Sequence, residues 1–166
     1  MFCPGAEYGP AKRWPTRHFA ALARELGGRG FAVWLLGSAK DAPVGEEIRT
    51  LSDDACVNLC GKTDLAAAVD LVSCAKLVVS NDSGLMHVAA ALAKPLVALY
   101  GSSDPAHTPP LSLQTGSVRI AKIEIACSPC FERVCPLGHF RCMKELSVER
   151  VLEEIGRLGV LTSPAA

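Results

Sequence analysis

The chain has 166 residues, 49% of them hydrophobic, and its 17 Lys+Arg balance its 17 Asp+Glu for a formal charge of zero. That neutrality leaves no broad basic field for a nucleic-acid backbone, so no nucleic-acid partner is expected. The apolar residues come in short runs, none near the roughly 18–20 residues that cross a bilayer, and the length suits one domain whose core needs no disulfide staples.

The opening Met1-Phe2-Cys3-Pro4-Gly5 has neither the basic segment nor the apolar stretch of a signal peptide. A soluble, cytoplasmic protein is expected. Met1 to Cys3 read as the tail of a strand, which suits a domain cut from a longer protein. Beyond a Gly/Pro-rich loop, Phe19, Leu22, Ala23 and Leu26 recur at helical spacing, and Phe31 to Leu36 form an apolar strand run. Val44, Ile48 and Leu51 mark a helix before a strand at Val57 to Leu59. Leu65, Ala68, Val69 and Val72 mark the next helix, before Leu77 to Val79. Leu85, Val88, Ala89 and Leu92 follow on one helical face, then a strand run from Leu96 to Tyr100. Val148, Val151, Leu152 and Ile155 predict a last helix at about 147–158.

Continuous apolar strands alternating with amphipathic helices imply an α/β fold, a parallel sheet covered on both faces. Right-handed crossovers put every strand-to-helix loop at the same edge of that sheet, where ligands bind. The unusual residues sit in those loops: Pro4 to Pro15, Gly37-Ser38-Ala39-Lys40-Asp41, Gly61-Lys62-Thr63-Asp64, Asn81-Asp82-Ser83-Gly84 and Gly101-Ser102-Ser103-Asp104-Pro105. Glycine in most of them permits close backbone approach to a ligand.

The most informative loop is Asn81-Asp82-Ser83-Gly84, because a β-branched run stops there and a helical pattern starts at once. The free N–H groups and positive dipole end of a helix start suit a phosphate, and Asp82, Ser83 and His87 add polar side chains. The turn reads as a site for a nucleotide diphosphate; Asp and Ser are also ordinary N-caps, and a capped turn needs no ligand. A P-loop is excluded, since no Gly-x-x-x-x-Gly-Lys-Ser/Thr occurs, and no Gly-x-Gly-x-x-Gly follows the first strand.

Lys12, in the first loop, can reach a pyrophosphate held at Ser83-Gly84, or stand solvated beside Arg13. Asp41 can accept from ribose hydroxyls or cap the next helix. Thr63 can line a base pocket or serve its own turn, while Asp64 reads as an N-cap. His87, one turn into its helix, donates to phosphate or bonds a core carbonyl. Of the eight cysteines, Cys127, Cys130, Cys135 and Cys142 cluster around His139 in a Cys-rich loop at 126–143. That composition fits a structural zinc site, disulfides or free thiols, and the spacing matches no standard finger. Cys3, Cys56, Cys60 and Cys74 read as small core residues.

Pro4-Gly5-Ala6, Gly9-Pro10-Ala11-Lys12-Arg13-Trp14-Pro15, Asn81-Asp82-Ser83-Gly84-Leu85-Met86-His87, Tyr100-Gly101-Ser102-Ser103 and the tail from Cys127 to His139 together resemble the C-terminal half of the ADP-heptose:lipopolysaccharide heptosyltransferases, glycosyltransferase family 9, closest to the type II members. The resemblance runs from Pro4 to about Ile155. It implies the C-terminal, Rossmann-like half of a GT-B glycosyltransferase, with residues 1–166 as a single donor-binding domain and the N-terminal acceptor domain absent. It further implies an inverting transferase that carries heptose from ADP-L-glycero-D-manno-heptose to the inner core of lipopolysaccharide, with no required cofactor. In this resemblance Lys12 contacts donor phosphate, Asp41 the adenosine ribose, and Thr63 the base pocket. Asp82, Gly84 and His87 hold the sugar and pyrophosphate. Lys12 and Asp82 are the candidate catalytic residues; Gly5, Asp41, Thr63, Ser83, Gly84, Leu85 and His87 are the candidate substrate-binding ones. The lipid A-core acceptor and the general base would come with the missing domain, and contact with the membrane would be peripheral. The fragment alone is expected to bind donor weakly and transfer nothing. The other readings are a GT-B enzyme using a UDP-sugar and a zinc-dependent interaction module built on Cys127 to Cys142.

Overall fold

The computed structural model describes residues 1–161, so the last positions of the expected 1–166 domain lie outside it. Its strands are Phe2–Cys3 (β1), Trp34–Leu35 (β2), Val57–Asn58 (β3), Val78–Asn81 (β4), Leu96–Leu99 (β5) and Val118–Ala121 (β6). They form one 6-stranded sheet in the order β3-β2-β1-β4-β5-β6, and every pair is parallel. The helices are Thr16–Gly28 (α1), Ala42–Leu51 (α2), Leu65–Cys74 (α3), Gly84–Ala91 (α4), Arg141–Lys144 (α5) and Val148–Arg157 (α6). The α/β expectation holds, and the strand order is that of a doubly wound sheet.

The strand period of two sorts the side chains into two cores. Phe2, Leu35, Val79, Val97 and Leu99 face α1, α2 and α6, meeting Phe19, Leu22, Ile48, Val151 and Ile155. Cys3, Leu36, Val78, Leu96 and Ala98 face α3 and α4, meeting Val72, Met86, Ala89 and Ala90. Burial on both faces is why these strands read as unbroken apolar runs. Burying each large side chain stabilises the fold by roughly 1.5–3 kcal/mol. No helix among the described residues is long and apolar enough to cross a membrane.

Several details differ from the sequence reading. The run Phe31 to Leu36 pairs only at Trp34–Leu35, and Val57 to Leu59 only at Val57–Asn58, because β2 lies beside the short β1, β3 lies beside β2, and ladder pairing stops where the neighbour stops. In α4 the buried stripe is Met86, Ala89 and Ala90, whereas Leu92 is exposed. Small residues let α4 lie close on the sheet, with the Tyr100 hydroxyl meeting Met86 Sδ at 3.5 Å. Leu65, directly after the N-cap Asp64, is exposed, as are Leu51 and Cys74, so none of the three is a core residue. Strand β6 was not expected: Arg119 interrupts its apolar pattern, and a loop rather than a helix leads into it.

Candidate functional site

The strand order reverses between β1 and β4, which are hydrogen-bonded neighbours. At such a switch point the loops leaving the two strands run to opposite faces and open a crevice between them. The loop after β1 begins at Pro4-Gly5; the loop after β4 is Asp82-Ser83, leading into α4. Asn81 ties the two together. Its Nδ2 donates to Pro4 O at 2.7 Å, and its Oδ1 accepts the Trp14 N–H at 3.1 Å. Trp14 is itself buried, donating from Nε1 to Leu146 O at 2.7 Å. The loop carrying Lys12 is thereby pinned at both ends.

A cavity of about 170 Å³ occupies the crevice, lined by Gly5, Leu36, Asp41, Ser83, Gly84 and Leu85 among others. Pockets for whole drug-sized ligands run to about 300–1,000 Å³, so this one has room for only part of such a ligand. Five of the expected substrate-binding residues converge here: Gly5, Asp41, Ser83, Gly84 and Leu85. Gly5 is required by space, because a Cβ there would stand 2.5 Å from Asp41 Oδ2. Asp41 is buried, and its Oδ2 accepts from the Ser38 N–H at 2.9 Å and the Ser38 hydroxyl at 2.8 Å. Asp41 makes no side-chain cap to α2; its carboxylate closes a capping box with Ser38 in the preceding turn while lining the crevice.

α4 starts without a side-chain cap, like α1, α2 and α5 and unlike α3 and α6. Asp64 caps α3 by accepting the Ala67 N–H at 2.8 Å, and Ser147 caps α6 by accepting the Arg150 N–H at 3.2 Å. Ser83, at the N-cap of α4, makes no such bond; its hydroxyl lies 3.3 Å from that of Ser80. First-turn N–H groups have no partner inside a helix, so those of Gly84 and Leu85 face the crevice with the positive end of the helix dipole behind them.

Lys12 and Asp82 meet at the edge of this site. Lys12 Nζ donates to Asp82 Oδ2 at 2.5 Å, with only 12% and 3% of the two side chains exposed. Thr108 Oγ1 donates to the same carboxylate oxygen at 3.2 Å. The Lys12 ammonium also lies 4.8 Å from the centroid of the Tyr8 ring, and the Arg133 guanidinium 4.9 Å from it. Asp82 therefore does not point into the crevice; it anchors the cation beside it. His87 is exposed on α4, and neither it nor Thr63 lines the cavity. In α4 the face that carries His87 turns to solvent while Met86 goes to the core.

Sequence reasoning missed Thr108, Tyr8 and Asn81. Thr108 lies just past the polar loop that follows β5, and nothing in its neighbours marks it. Tyr8 was legible as an aromatic in a Gly/Pro-rich loop, the usual platform for a cation. A second cavity, about 270 Å³, opens at the other edge of the sheet between Phe31, Trp34, Leu77 and Leu161. Its size exceeds that of the crevice, but among the described residues strand amino ends and mostly apolar side chains line it, with no helix start and no glycine-rich turn.

The four clustered cysteines and His139 line one small cavity next to Ala11 and Ser102. All eight cysteines stand as free thiols in this structure. Among the described residues no three His, Cys, Asp or Glu side chains already stand as a metal-binding group, so the expected zinc set is gathered but not assembled.

Residues 1–141 match the family model described as glycosyltransferase family 9 (heptosyltransferase). Lipooligosaccharide heptosyltransferase 2 of Haemophilus influenzae is 48% identical over 161 residues, covering 95% of this chain and 46% of that protein. Lipopolysaccharide heptosyltransferase 2 of Escherichia coli K12 is 47% identical over 168 residues, covering 95% and 45%. The solved structure of E. coli ADP-heptose lps heptosyltransferase II superposes with a TM-score of 0.80 at 46% identity, over 95% of this chain and 45% of that one. The chain spans about half the length of the curated relatives it matches. With a family model covering most of its residues and relatives close to half identical, the chain belongs to glycosyltransferase family 9, the heptosyltransferase family.

Proposed function

We propose that this chain is the donor-binding half of an inverting heptosyltransferase that uses ADP-L-glycero-D-manno-heptose and delivers heptose to the inner core of lipopolysaccharide. The carrying observation is the uncapped start of α4 at the switch point, with Gly5 and Asp41 across the crevice and Lys12 at its edge. The names of the near-half-identical relatives supply the substrate class.

In this reading the Gly84 and Leu85 N–H groups receive the diphosphate, and Ser83 adds a hydroxyl. Lys12, held by Asp82, supplies the full positive charge that the leaving ADP needs as the glycosidic bond breaks. Asp82 is thus a positioning residue for Lys12, and Thr108 shares that carboxylate. Asp41 offers the carboxylate oxygen that is not bonded to Ser38 to the ribose hydroxyls. Thr63 and His87 serve the rim, toward the base and the sugar. With the lysine and the helix end balancing the diphosphate charge, the transfer step needs no bound metal. Inversion needs a base to take the proton of the attacking acceptor hydroxyl. In this reading that base, and the site for the lipid A-core acceptor, come with an N-terminal acceptor domain. The enzyme works in the cytoplasm, touching the inner membrane only peripherally through its acceptor.

The test is to join this chain to the N-terminal half of the E. coli K12 relative and assay heptose transfer from ADP-heptose. Folded chimera with transfer that Lys12→Ala removes supports the reading. A folded chimera that binds ADP-heptose and leaves the acceptor unmodified contradicts it. This chain by itself is expected to show no transfer.

A further inference from the structure

We propose, building on the donor-site reading above, that Arg133 is a second cation for the diphosphate, carried to the rim by the loop between β6 and α5 and set beside Lys12 by the Tyr8 ring.

That loop docks tightly on the turn that carries Lys12. The Tyr8 hydroxyl donates to Phe131 O at 2.7 Å across 123 positions of sequence. The Ala11 N–H donates to Arg133 O at 3.0 Å, and Ala11 is buried in the short turn Pro10–Lys12. Gly9 makes room for this contact: a Cβ there would stand 2.3 Å from Arg133 O and 3.0 Å from Arg133 Cα. The backbone of Arg133 is thus bonded to the residue next to Lys12.

The side chain is held as closely. The Arg133 guanidinium lies 4.9 Å from the centroid of the Tyr8 ring, and Lys12 Nζ lies 4.8 Å from the same point. The negative face of an aromatic ring attracts a cation, and here one ring gathers two. Cations brought this close repel each other, and a bound anion relieves the repulsion. Lys12 is already engaged with Asp82 at 2.5 Å. Arg133 is exposed, and among the described residues its guanidinium has no carboxylate partner. Arg13, the other cation of the turn, directs Nη2 to Ala6 O at 3.5 Å.

The charges around the crevice call for such a group. Asp41 and Asp82 are both buried there, and each carboxylate opposes an incoming diphosphate. Lys12 offsets Asp82, and Lys40 offsets Glu7 at 2.6 Å. Asp41 has no ion-pair partner among the described residues; its Oδ2 accepts only from Ser38. A guanidinium on the rim supplies the missing positive charge. Its planar fork of N–H donors also matches phosphate oxygens in a way that a point charge does not.

The experiment is calorimetric titration of the whole folded chain with ADP, UDP, inorganic pyrophosphate and adenosine, at low and high salt. Arg133→Gln removes the charge and keeps the backbone bond to Ala11; circular dichroism checks the fold. ADP and pyrophosphate affinities are expected to fall about tenfold, with a shallower salt dependence, while adenosine affinity stays the same. Arg133→Lys should recover part of the loss, and Tyr8→Leu should weaken ADP in the same direction. Lys94→Gln, which removes a cation bonded to Ser73 O at the opposite edge of the sheet, should change nothing. ADP binding left intact by Arg133→Gln overturns this proposal and leaves the donor-site reading standing. An equal loss for adenosine also overturns it, because the effect is then one of shape and not of charge. Pyrophosphate binding that depends on Arg133, without preference for ADP over UDP, supports this proposal and contradicts the nucleotide reading. A folded wild-type chain that binds none of the four overturns both.

Discussion

Lys12 and Asp82, 70 residues apart in sequence, form a largely buried ion pair at 2.5 Å on the rim of the crevice. The pair holds the ammonium where a diphosphate would sit against the start of α4. It also makes each partner costly to remove, because the other is left charged and largely out of water.

Lys12→Met is therefore expected to destabilise the chain by about 3 kcal/mol, the lower end for breaking a buried pair. Lys12→Met combined with Asp82→Asn should recover a large part of that loss. Urea unfolding of the two single variants and the double variant measures the coupling. Additive losses would mean that the pair is not the energetic unit described.

Asn81 is the second structural hinge of the site, bonding Pro4 O and the Trp14 N–H from one buried side chain. Asn81→Asp keeps the shape but replaces the donor to Pro4 O with an acceptor. A stability loss of about 1–3 kcal/mol is expected for the unpaired buried group, together with weaker nucleotide binding. Thermal unfolding and titration on the same sample check both effects.

Gly5 faces Asp41 with no room for a methyl group. Gly5→Ala should cost about 1–3 kcal/mol through overpacking and close the crevice by pushing Asp41 from Ser38. Loss of nucleotide affinity in a variant that still folds is the predicted signature. Full affinity would show that the Gly5 side of the crevice is not part of the site.

Burial, reinforced by Arg17, holds the His18 imidazole below its ordinary range. The unfolded chain then binds a proton at a higher pH than the folded chain does. Stability from the neutral ring is complete above the unfolded value of about 6.5 and falls as pH drops through the lowered folded value. His18→Gln should flatten the decline in Tm as pH falls below about 6.5, read by calorimetry in matched buffers.

Most of the fold was legible because burial on both faces of a parallel sheet writes itself as apolar runs, and the helices between them keep a 3.6-residue period. Errors came where packing, not pattern, decides. Of the expected face Leu85, Val88, Ala89 and Leu92, the first three pack against the core, whereas Leu92 is exposed and Met86 and Ala90 complete the buried stripe. Arg119 hid β6. In the site, residues on strand ends and helix starts (Gly5, Asp41, Ser83, Gly84, Leu85) were readable from topology, since the carboxyl edge of the sheet gathers them. Contacts made by long-range side chains were not. Asp82 was expected to face the ligand, yet its partner is Lys12, and no local pattern announces a bond across 70 residues. Thr108 was invisible for the same reason.

Calorimetric titration of the folded chain with ADP, with UDP and GDP alongside and Lys12→Ala as the control, tests the donor-site reading most directly. Binding of ADP in preference to UDP and GDP is predicted, weakened about tenfold or more in Lys12→Ala by the loss of a charged hydrogen bond worth roughly 1.5–3 kcal/mol. Equal affinity for the three nucleotides, or ADP binding indifferent to Lys12, would contradict the account.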